Sequence, residues 1–407
     1  MSPIRGIQFM GPITITVSIK GGFPRSGSVS LLSSGRDATT GQNRPTVSLN
    51  PQPERPHPQQ DNSKMSVTLE NTSNHDQNLS PASIGFIGLG AMGKPMVVNL
   101  ARRLPAGSQI HVHDVIPTAV AEIFAWFPTT IVKCANAREV TLKSDVIITM
   151  LPEGAHVRSV YLAPADGITA GLSPSHSGPS KLLIDSSTID SATSLEIGRL
   201  IAKEHHPSAA FYDAPVSGGV LGAVKGTIAF FVGCSASDPN LPRLTALLQL
   251  LGDKVIPCGG PSLGLAAKLS NNYLSGIITI ATSEAMDMGM RAGIDARTLA
   301  SVFAAGTAQN AICDRFNPVP GVCPEAPPSK QYQGGFRVQL MRKDMGLALD
   351  MARRLGARNV LGVAGLGVYA AASEASDCRD LDSRVVYRYL GGDEEWARKR
   401  EEEMQVE

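Results

Sequence analysis

Four groups of residues have types and spacings that could do chemistry. The stretch "FIGLGAMGKPM" (86–96) places Gly88, Gly90 and Gly93 in a G-x-G-x-x-G spacing. Such glycines can make a tight turn, let a backbone approach a pyrophosphate, and let a helix pack closely on a sheet. Lys268 and Asn272 stand four apart in "GLAAKLSNN", so on a helix they share one face. A lysine held away from water loses its proton readily and can serve as general base or acid. The competing reading is a lysine snorkelling from an apolar helix to the surface. "DAPVSGGVLGAVKGT" (213–227) carries Ser217, Gly218 and Gly219, a hydroxyl beside two backbone N–H groups without side chains. That set could cradle a carboxylate, or be an ordinary glycine-rich turn. Finally, "MRKDMGLA" holds Lys343 next to Asp344, a further site candidate or an exposed charge pair.

These residues need elements to hold them. Short apolar runs at 84–90, 109–115, 130–135, 145–151, 181–187, 210–215, 226–233 and 254–259 read as strands. Helical patterns such as "SLEIGRLIAKEHH" separate most of them. Alternation of this kind predicts βαβ units and a mainly parallel sheet covered on both faces. The glycines then follow a strand and open a helix, whose free N–H groups suit a phosphate. Asp114 ends the second strand about 20 residues on, where an acid accepts hydrogen bonds from an adenosine ribose. Val115, Ile116 and Pro117 follow it, with no arginine for a 2′-phosphate, so NAD is expected rather than NADP. Pro152 and Thr188 fall just beyond strand ends, where open α/β sheets bind ligands. From about Leu263 to Arg291 there is no proline, and the run predicts one helix of roughly 40 Å bridging two domains. Helical patterns continue at 295–306, 340–356 and 359–375. Residues 163–180 read as a surface loop, 313–336 as a long Pro- and Gly-rich loop, and 393–407 as a solvated charge run.

The totals exclude several classes. With 43% hydrophobic and 18% charged residues and a net charge of +1, the 407-residue chain has no footprint for nucleic acid or an anionic membrane. No apolar run is long enough to span a bilayer. The six cysteines form no C-x-x-C pair and the eight histidines no metal-spaced cluster, so no metal is expected. Residues 1–36 contain no acid and carry Arg5, Lys20, Arg25 and Arg36 among Ser, Thr and Gly, the composition of a mitochondrial transit peptide. Residues 37–81 read as a Pro-, Gln- and Ser-rich disordered linker, and a tail without any address is the alternative.

Four motifs in order, "FIGLGAMGKPM", "DAPVSGGVLGAVKGT", "GLAAKLSNN" and "RKDMGLAL", resemble the β-hydroxyacid dehydrogenase family over roughly residues 83–391. Within it, "NPVPGV", "YQGGF" and "TSEAMDMGMRAGID" resemble the 3-hydroxyisobutyrate dehydrogenase branch. The resemblance implies an α/β Rossmann domain followed by an all-α second domain, joined by a long interdomain helix. The boundaries would be 1–81 for leader and linker, 82–261 for the NAD-binding domain, 262–392 for the helical domain and 393–407 for the tail. It implies NAD as cofactor, a small 3-hydroxyacid as substrate, no nucleic-acid or membrane partner, a homo-oligomer and a matrix address. Lys268 would be catalytic and Asn272 would assist it. Ser217, Gly218 and Gly219 would bind the substrate carboxylate. Gly88, Leu89, Gly90, Ala91, Met92, Gly93, Asp114, Leu151, Pro152, Thr188, Phe336 and Lys343 would border the cofactor. His156 stands where the family often has Asn, a departure at one cofactor contact. The implied reaction is oxidation of 3-hydroxyisobutyrate to methylmalonate semialdehyde. The alternatives are a tartronate or succinic semialdehyde reductase using NADPH, or a non-catalytic NAD-binding scaffold.

Overall fold

The structure, a computed structural model, describes residues 82–172, 180–205 and 207–399. The expected leader and linker, residues 173–179 of the 163–180 loop and the end of the charged tail lie outside the described residues. The first half runs β1 (Ser83–Ile87), α1 (Gly93–Arg103), β2 (Gln109–His113), α2 (Pro117–Trp126), β3 (Ile131–Lys133), α3 (Ala137–Lys143), β4 (Val146–Thr149), α4 (Gly154–Leu162), β5 (Lys181–Asp185), α5 (Ser191–Glu204) and β6 (Ala209–Asp213). These six strands form one all-parallel sheet in the order β3-β2-β1-β4-β5-β6. Alternate residues bury on opposite faces. Phe86, Ile148 and Ile184 join one core cluster, whereas Ile87, Ile147 and Leu183 join another. Covering both faces is why the strands read as unbroken apolar runs.

The chain then makes β7 (Val216–Ser217), α6 (Gly219–Lys225), β8 (Ala229–Val232), α7 (Leu241–Leu248) and β9 (Lys254–Pro257). These strands form a separate three-stranded sheet, β7-β8-β9, with β7 antiparallel to β8. The apolar runs at 226–233 and 254–259 were expected as strands. The two-residue β7, too short to show a period, was not.

The second half is helical: α8 (Leu263–Arg291), α9 (Ala296–Ala305), α10 (Ala311–Arg315), α11 (Val338–Leu355), α12 (Gly362–Glu374) and α13 (Val386–Tyr389). Helix α8 is 29 residues long, as its lack of proline predicts. Its first turns pack on β8 and β6, and its remainder packs on α9, α11, α12 and α13.

Two readings need correction, those of 163–180 and of the tail, and the 313–336 loop is packed. In the described part of the 163–180 segment, Ile168 and Leu172 are buried in the core cluster with Tyr161, so this part is no surface excursion. The 313–336 segment is packed as well. Val319 and Tyr332 are fully buried, and the Tyr332 hydroxyl donates to the Pro318 carbonyl at 3.0 Å. The start of the charged tail is docked rather than solvated. Trp396 is buried beside Val319 and Tyr387, and its indole N–H donates to the Pro320 carbonyl at 2.8 Å. In each case one or two large apolar residues outweigh the polar composition around them.

Candidate active site

The glycine turn joins β1 to α1 and depends on missing side chains at two positions. Gly88 has φ +98, and a Cβ there would overlap the Met150 carbonyl oxygen. A Cβ on Gly93 would overlap the Gly88 carbonyl oxygen, so α1 could not sit against the turn. Gly90 is different. Nothing lies within 4 Å of its ideal Cβ, so no protein contact requires a glycine. Open space at a glycine is what a closely approaching ligand needs. The N–H groups of Gly90, Ala91 and Met92 make no hydrogen bond among the described residues. Leu89 N donates to Asp114 Oδ2 at 2.5 Å and Ile116 N to Asp114 Oδ1 at 2.8 Å. The carboxylate predicted to face a ribose is therefore fixed to the glycine turn. A free phosphate cradle beside an anchored acid fits a dinucleotide.

The opposite wall comes from the ends of β4 and β5. Asp185 is fully buried there. Its Oδ1 accepts Thr149 Oγ1 at 2.8 Å and Ser187 Oγ at 2.5 Å, and Ser187 Oγ in turn accepts Leu151 N at 2.8 Å. This network fixes the Leu151–Pro152 and Ser187–Thr188 rims relative to each other. Burial pushes the Asp185 carboxyl up to about 6 against the pull of these hydrogen bonds, and its Oδ2 has no partner among the described residues. Lys343 of α11 spans the cleft to the same rims. Its Nζ donates to the Thr188 carbonyl at 2.6 Å and to the Pro152 carbonyl at 3.3 Å.

Helix α8 is held at its first turn by Asp213, the last residue of β6. Asp213 accepts Ser262 N at 2.7 Å and Leu265 N at 2.9 Å. A carboxylate at a helix N-terminus satisfies orphan N–H groups and complements the helix dipole. Further along, Lys268 and Asn272 are both buried, at 7% and 6% exposure. The snorkelling reading of Lys268 therefore fails. Its Nζ makes no hydrogen bond among the described residues, and burial brings its pKa down to about 8. The Asp344 carboxylate pulls that value up, and the Lys343 ammonium pushes it down.

Asp344 is likewise buried, at 2% exposure, so it is no exposed charge pair. Its Oδ2 accepts Asn272 Nδ2 at 2.6 Å and its Oδ1 stands 3.3 Å from Lys343 Nζ. Lys268, Asn272, Lys343 and Asp344 thus form one cluster facing the strand ends. Asp185 and Asp213 were not among the expected site residues, and Asp344 was open between a site candidate and an exposed pair; burial separates these readings.

Ser217 ends β7, and Gly218 and Gly219 have φ +135 and +63. A Cβ on Gly218 would press on Ile228, whereas Gly219 faces open space. The N–H groups of both glycines make no hydrogen bond among the described residues. Strand β8, which pairs with β7, packs against α8, so this turn and Lys268 lie on neighbouring elements. One expected residue is not gathered in: Phe336 packs in the helical core and is fixed by its N–H to Asp382 Oδ2 at 2.8 Å. His156, the departure at one cofactor contact, is exposed on the first turn of α4. Among the described residues no group of His, Cys, Asp and Glu could hold a metal ion.

Known proteins similar to this chain cover both of its halves. Residues 83–260 match the family model described as the NAD binding domain of 6-phosphogluconate dehydrogenase. Residues 263–390 match that described as the NAD-binding domain of NADP-dependent 3-hydroxyisobutyrate dehydrogenase. The mitochondrial 3-hydroxyisobutyrate dehydrogenase of Mus musculus is 38% identical over 77% of this chain and 89% of its own. An NAD-dependent L-serine dehydrogenase of Pseudomonas aeruginosa is 37% identical over 70% of this chain and 90% of its own. Among solved structures, the 3-hydroxyisobutyrate dehydrogenase of Mycobacterium tuberculosis with L-serine superposes with a TM-score of 0.67 at 35% identity, covering 76% of this chain and 99% of that one. Matched in both halves and along most of a relative's length, the chain belongs to the 3-hydroxyisobutyrate dehydrogenase family.

Proposed function

We propose that the protein oxidises 3-hydroxyisobutyrate reversibly to methylmalonate semialdehyde with NAD. The observation that carries this is a lysine buried in the cleft, with its pKa lowered to about 8 and no hydrogen bond among the described residues. Near neutral pH a useful fraction of it is the free amine, with its lone pair open to a substrate hydroxyl. NAD, which the Gly88–Gly93 turn and Asp114 would hold, would supply a hydride acceptor for the carbinol carbon. Lys268 accepts the hydroxyl proton at Nζ and returns it in the reverse direction. Asn272, oriented by Asp344, offers its amide to the same oxygen. Ser217 Oγ and the Gly218 and Gly219 N–H groups hold the substrate carboxylate, which turns the carbinol toward the cofactor cleft. Fixing that orientation supplies much of the rate. Lys343 ties α11 to the Pro152 and Thr188 rims and so keeps water out of the cleft.

NAD rather than NADP is supported by Asp114, whose negative charge repels a 2′-phosphate and whose neighbours Val115 and Ile116 offer it no cation. The acid-free leader and the mitochondrial relative support a matrix location. The chain also assembles with copies of itself in this reading. L-serine is a second substrate candidate, favoured by the Pseudomonas relative and by the ligand of the Mycobacterium structure. Lys268→Ala tests the proton role. Turnover should fall by about 10³-fold or more, the upper range for a lost acid–base group, while NAD still binds. Turnover within tenfold of the native protein would refute it.

A further inference from the structure

Asp185 brings both an acceptor and a charge to the end of β5, and only the acceptor has a task so far. Its Oδ1 accepts Thr149 Oγ1, Ser187 Oγ and, at 3.2 Å, Ser187 N. The amide oxygen of an asparagine could accept the same donors. The charge has no counterpart. Asp185 is 0% exposed, and its Oδ2 has no partner among the described residues. The charge it feels there is that of another acid, Asp213 at the end of β6, and not of a cation. Lys343, the cation on the Thr188 rim, has Asp344 Oδ1 at 3.3 Å as its own partner. A buried carboxylate without a cation costs folding free energy, and such groups collect at functional sites.

The fold puts this charge at one end of the cofactor cleft. In the sheet order β2-β1-β4-β5, Asp114 follows β2 and the glycine turn follows β1. An adenosine ribose on Asp114 and a pyrophosphate on the turn leave the nicotinamide half over the ends of β4 and β5. Asp185 lies one hydroxyl behind that rim, since Ser187 Oγ donates to it and accepts Leu151 N. The oxidised nicotinamide ring is positive and the reduced ring neutral, whereas the rest of the dinucleotide is the same in both. We infer that the ionised Asp185 carboxylate is a counter-charge for the oxidised ring, so that the chain holds NAD+ in preference to NADH and releases a proton from Asp185 on binding it. The inference rests on the NAD reading above. Once the ring charge is gone the attraction goes with it, so the reduced form leaves more readily.

The charged and titratable groups around these strand ends are His156 and Tyr161 of α4, Asp190 at the start of α5, Asp213 of β6, Lys268 of α8 and Lys343 of α11. Burial holds the Tyr161 hydroxyl far above its usual range, so it stays neutral. Lys268, at about 8, keeps most of its proton up to pH 7, whereas Asp185, at about 6, titrates between pH 5 and 7. Histidines also titrate there, so His156→Asn is the control. A share from Asp190 or Asp213 would survive in Asp185→Asn.

The test is calorimetric titration of the full chain with NAD+ and with NADH at pH 5, 6 and 7. In the native protein the Kd for NADH divided by that for NAD+ should rise about two- to fivefold from pH 5 to 7. That is the linkage for a carboxyl pKa lowered by roughly half a unit to one unit, less than a contact pair gives. Asp185→Asn should hold the ratio flat, and His156→Asn should keep the rise. Buffers of different ionisation enthalpy at pH 5.5 add a readout that needs no variant. There NAD+ should release about a quarter to half a proton more than NADH does. A flat native ratio, equal proton release, a rise that survives in Asp185→Asn, or a rise lost in His156→Asn would overturn the inference and leave the NAD reading standing. A protein that binds neither form would overturn both.

Discussion

Replacing Asp344 by Asn should move the pH dependence of catalysis toward acid. Burial brings Lys268 down to about 8 even though the Asp344 carboxylate opposes that shift. Removing the carboxylate removes an attraction that holds the proton on Lys268, so its pKa falls further. An opposite charge within about 4–6 Å moves a pKa by about 1–3 units, and the lower end applies to a carboxylate that acts on Lys268 by charge alone, without a hydrogen bond to it among the described residues. The substitution keeps the shape and an oxygen that can accept Asn272 Nδ2, so the helices stay in register. The assay is kcat/KM for hydroxyacid oxidation with saturating NAD across the neutral and alkaline range, which reports groups on the enzyme before substrate binds. In the native protein about one Lys268 in ten is neutral at pH 7, and kcat/KM should rise about tenfold toward a plateau above pH 8. In Asp344→Asn the inflection should move roughly one pH unit toward acid. Lys343→Met should move it the other way, since it removes the like charge that pushes the Lys268 pKa down. An inflection that stays put in both variants would show that the titrating group is not Lys268.

Gly90→Ala should leave the melting temperature within a degree or two yet weaken NAD at least about tenfold, because the new methyl meets no protein atom but occupies ligand space. Gly93→Ala should instead destabilise the fold, by an overlap that involves backbone on both sides. Equal losses of stability in the two variants, read by thermal melts beside NAD titrations, would contradict the cofactor reading of the turn. Asp185 gives a stability prediction of definite sign. Its folded pKa of about 6 exceeds the ordinary 3.8, so the folded state binds the proton more tightly. The stability this contributes is present below about pH 4 and is lost as pH rises through 6. Asp185→Asn should therefore gain about 2 kcal/mol relative to the native protein between pH 4.5 and 7.5. A difference in unfolding free energy that stays flat over that interval would refute the assignment.

Much of the fold was legible because its signals are periodic. The parallel strands are apolar throughout since both sheet faces are covered, and α8 is uninterrupted since no proline breaks it. The separate β7-β8-β9 sheet was not legible, because a two-residue strand has no period and a sheet break leaves no mark on composition. At the candidate site the glycines were legible where packing needs them, since a Cβ on Gly88 or Gly93 would overlap backbone, and Lys268 is buried as a proposed acid–base group should be. The carboxylates behind them were less so. Asp185 and Asp213 were not singled out, and Asp344 stayed open between a site residue and an exposed pair, because buried acids differ from surface acids only in what surrounds them. Trp396 and Ile168 show the reverse. Each sits in polar sequence, and each is buried because a large apolar side chain gains more from the core than its neighbours lose.

The central claim is tested most directly by comparing kcat/KM for 3-hydroxyisobutyrate, L-serine, glycerate and 4-hydroxybutyrate, each with NAD and with NADP. The account predicts the highest value for 3-hydroxyisobutyrate with NAD, at least about tenfold above the same substrate with NADP, as a missing 2′-phosphate partner requires. A higher value for another hydroxyacid, or a preference for NADP, would contradict it.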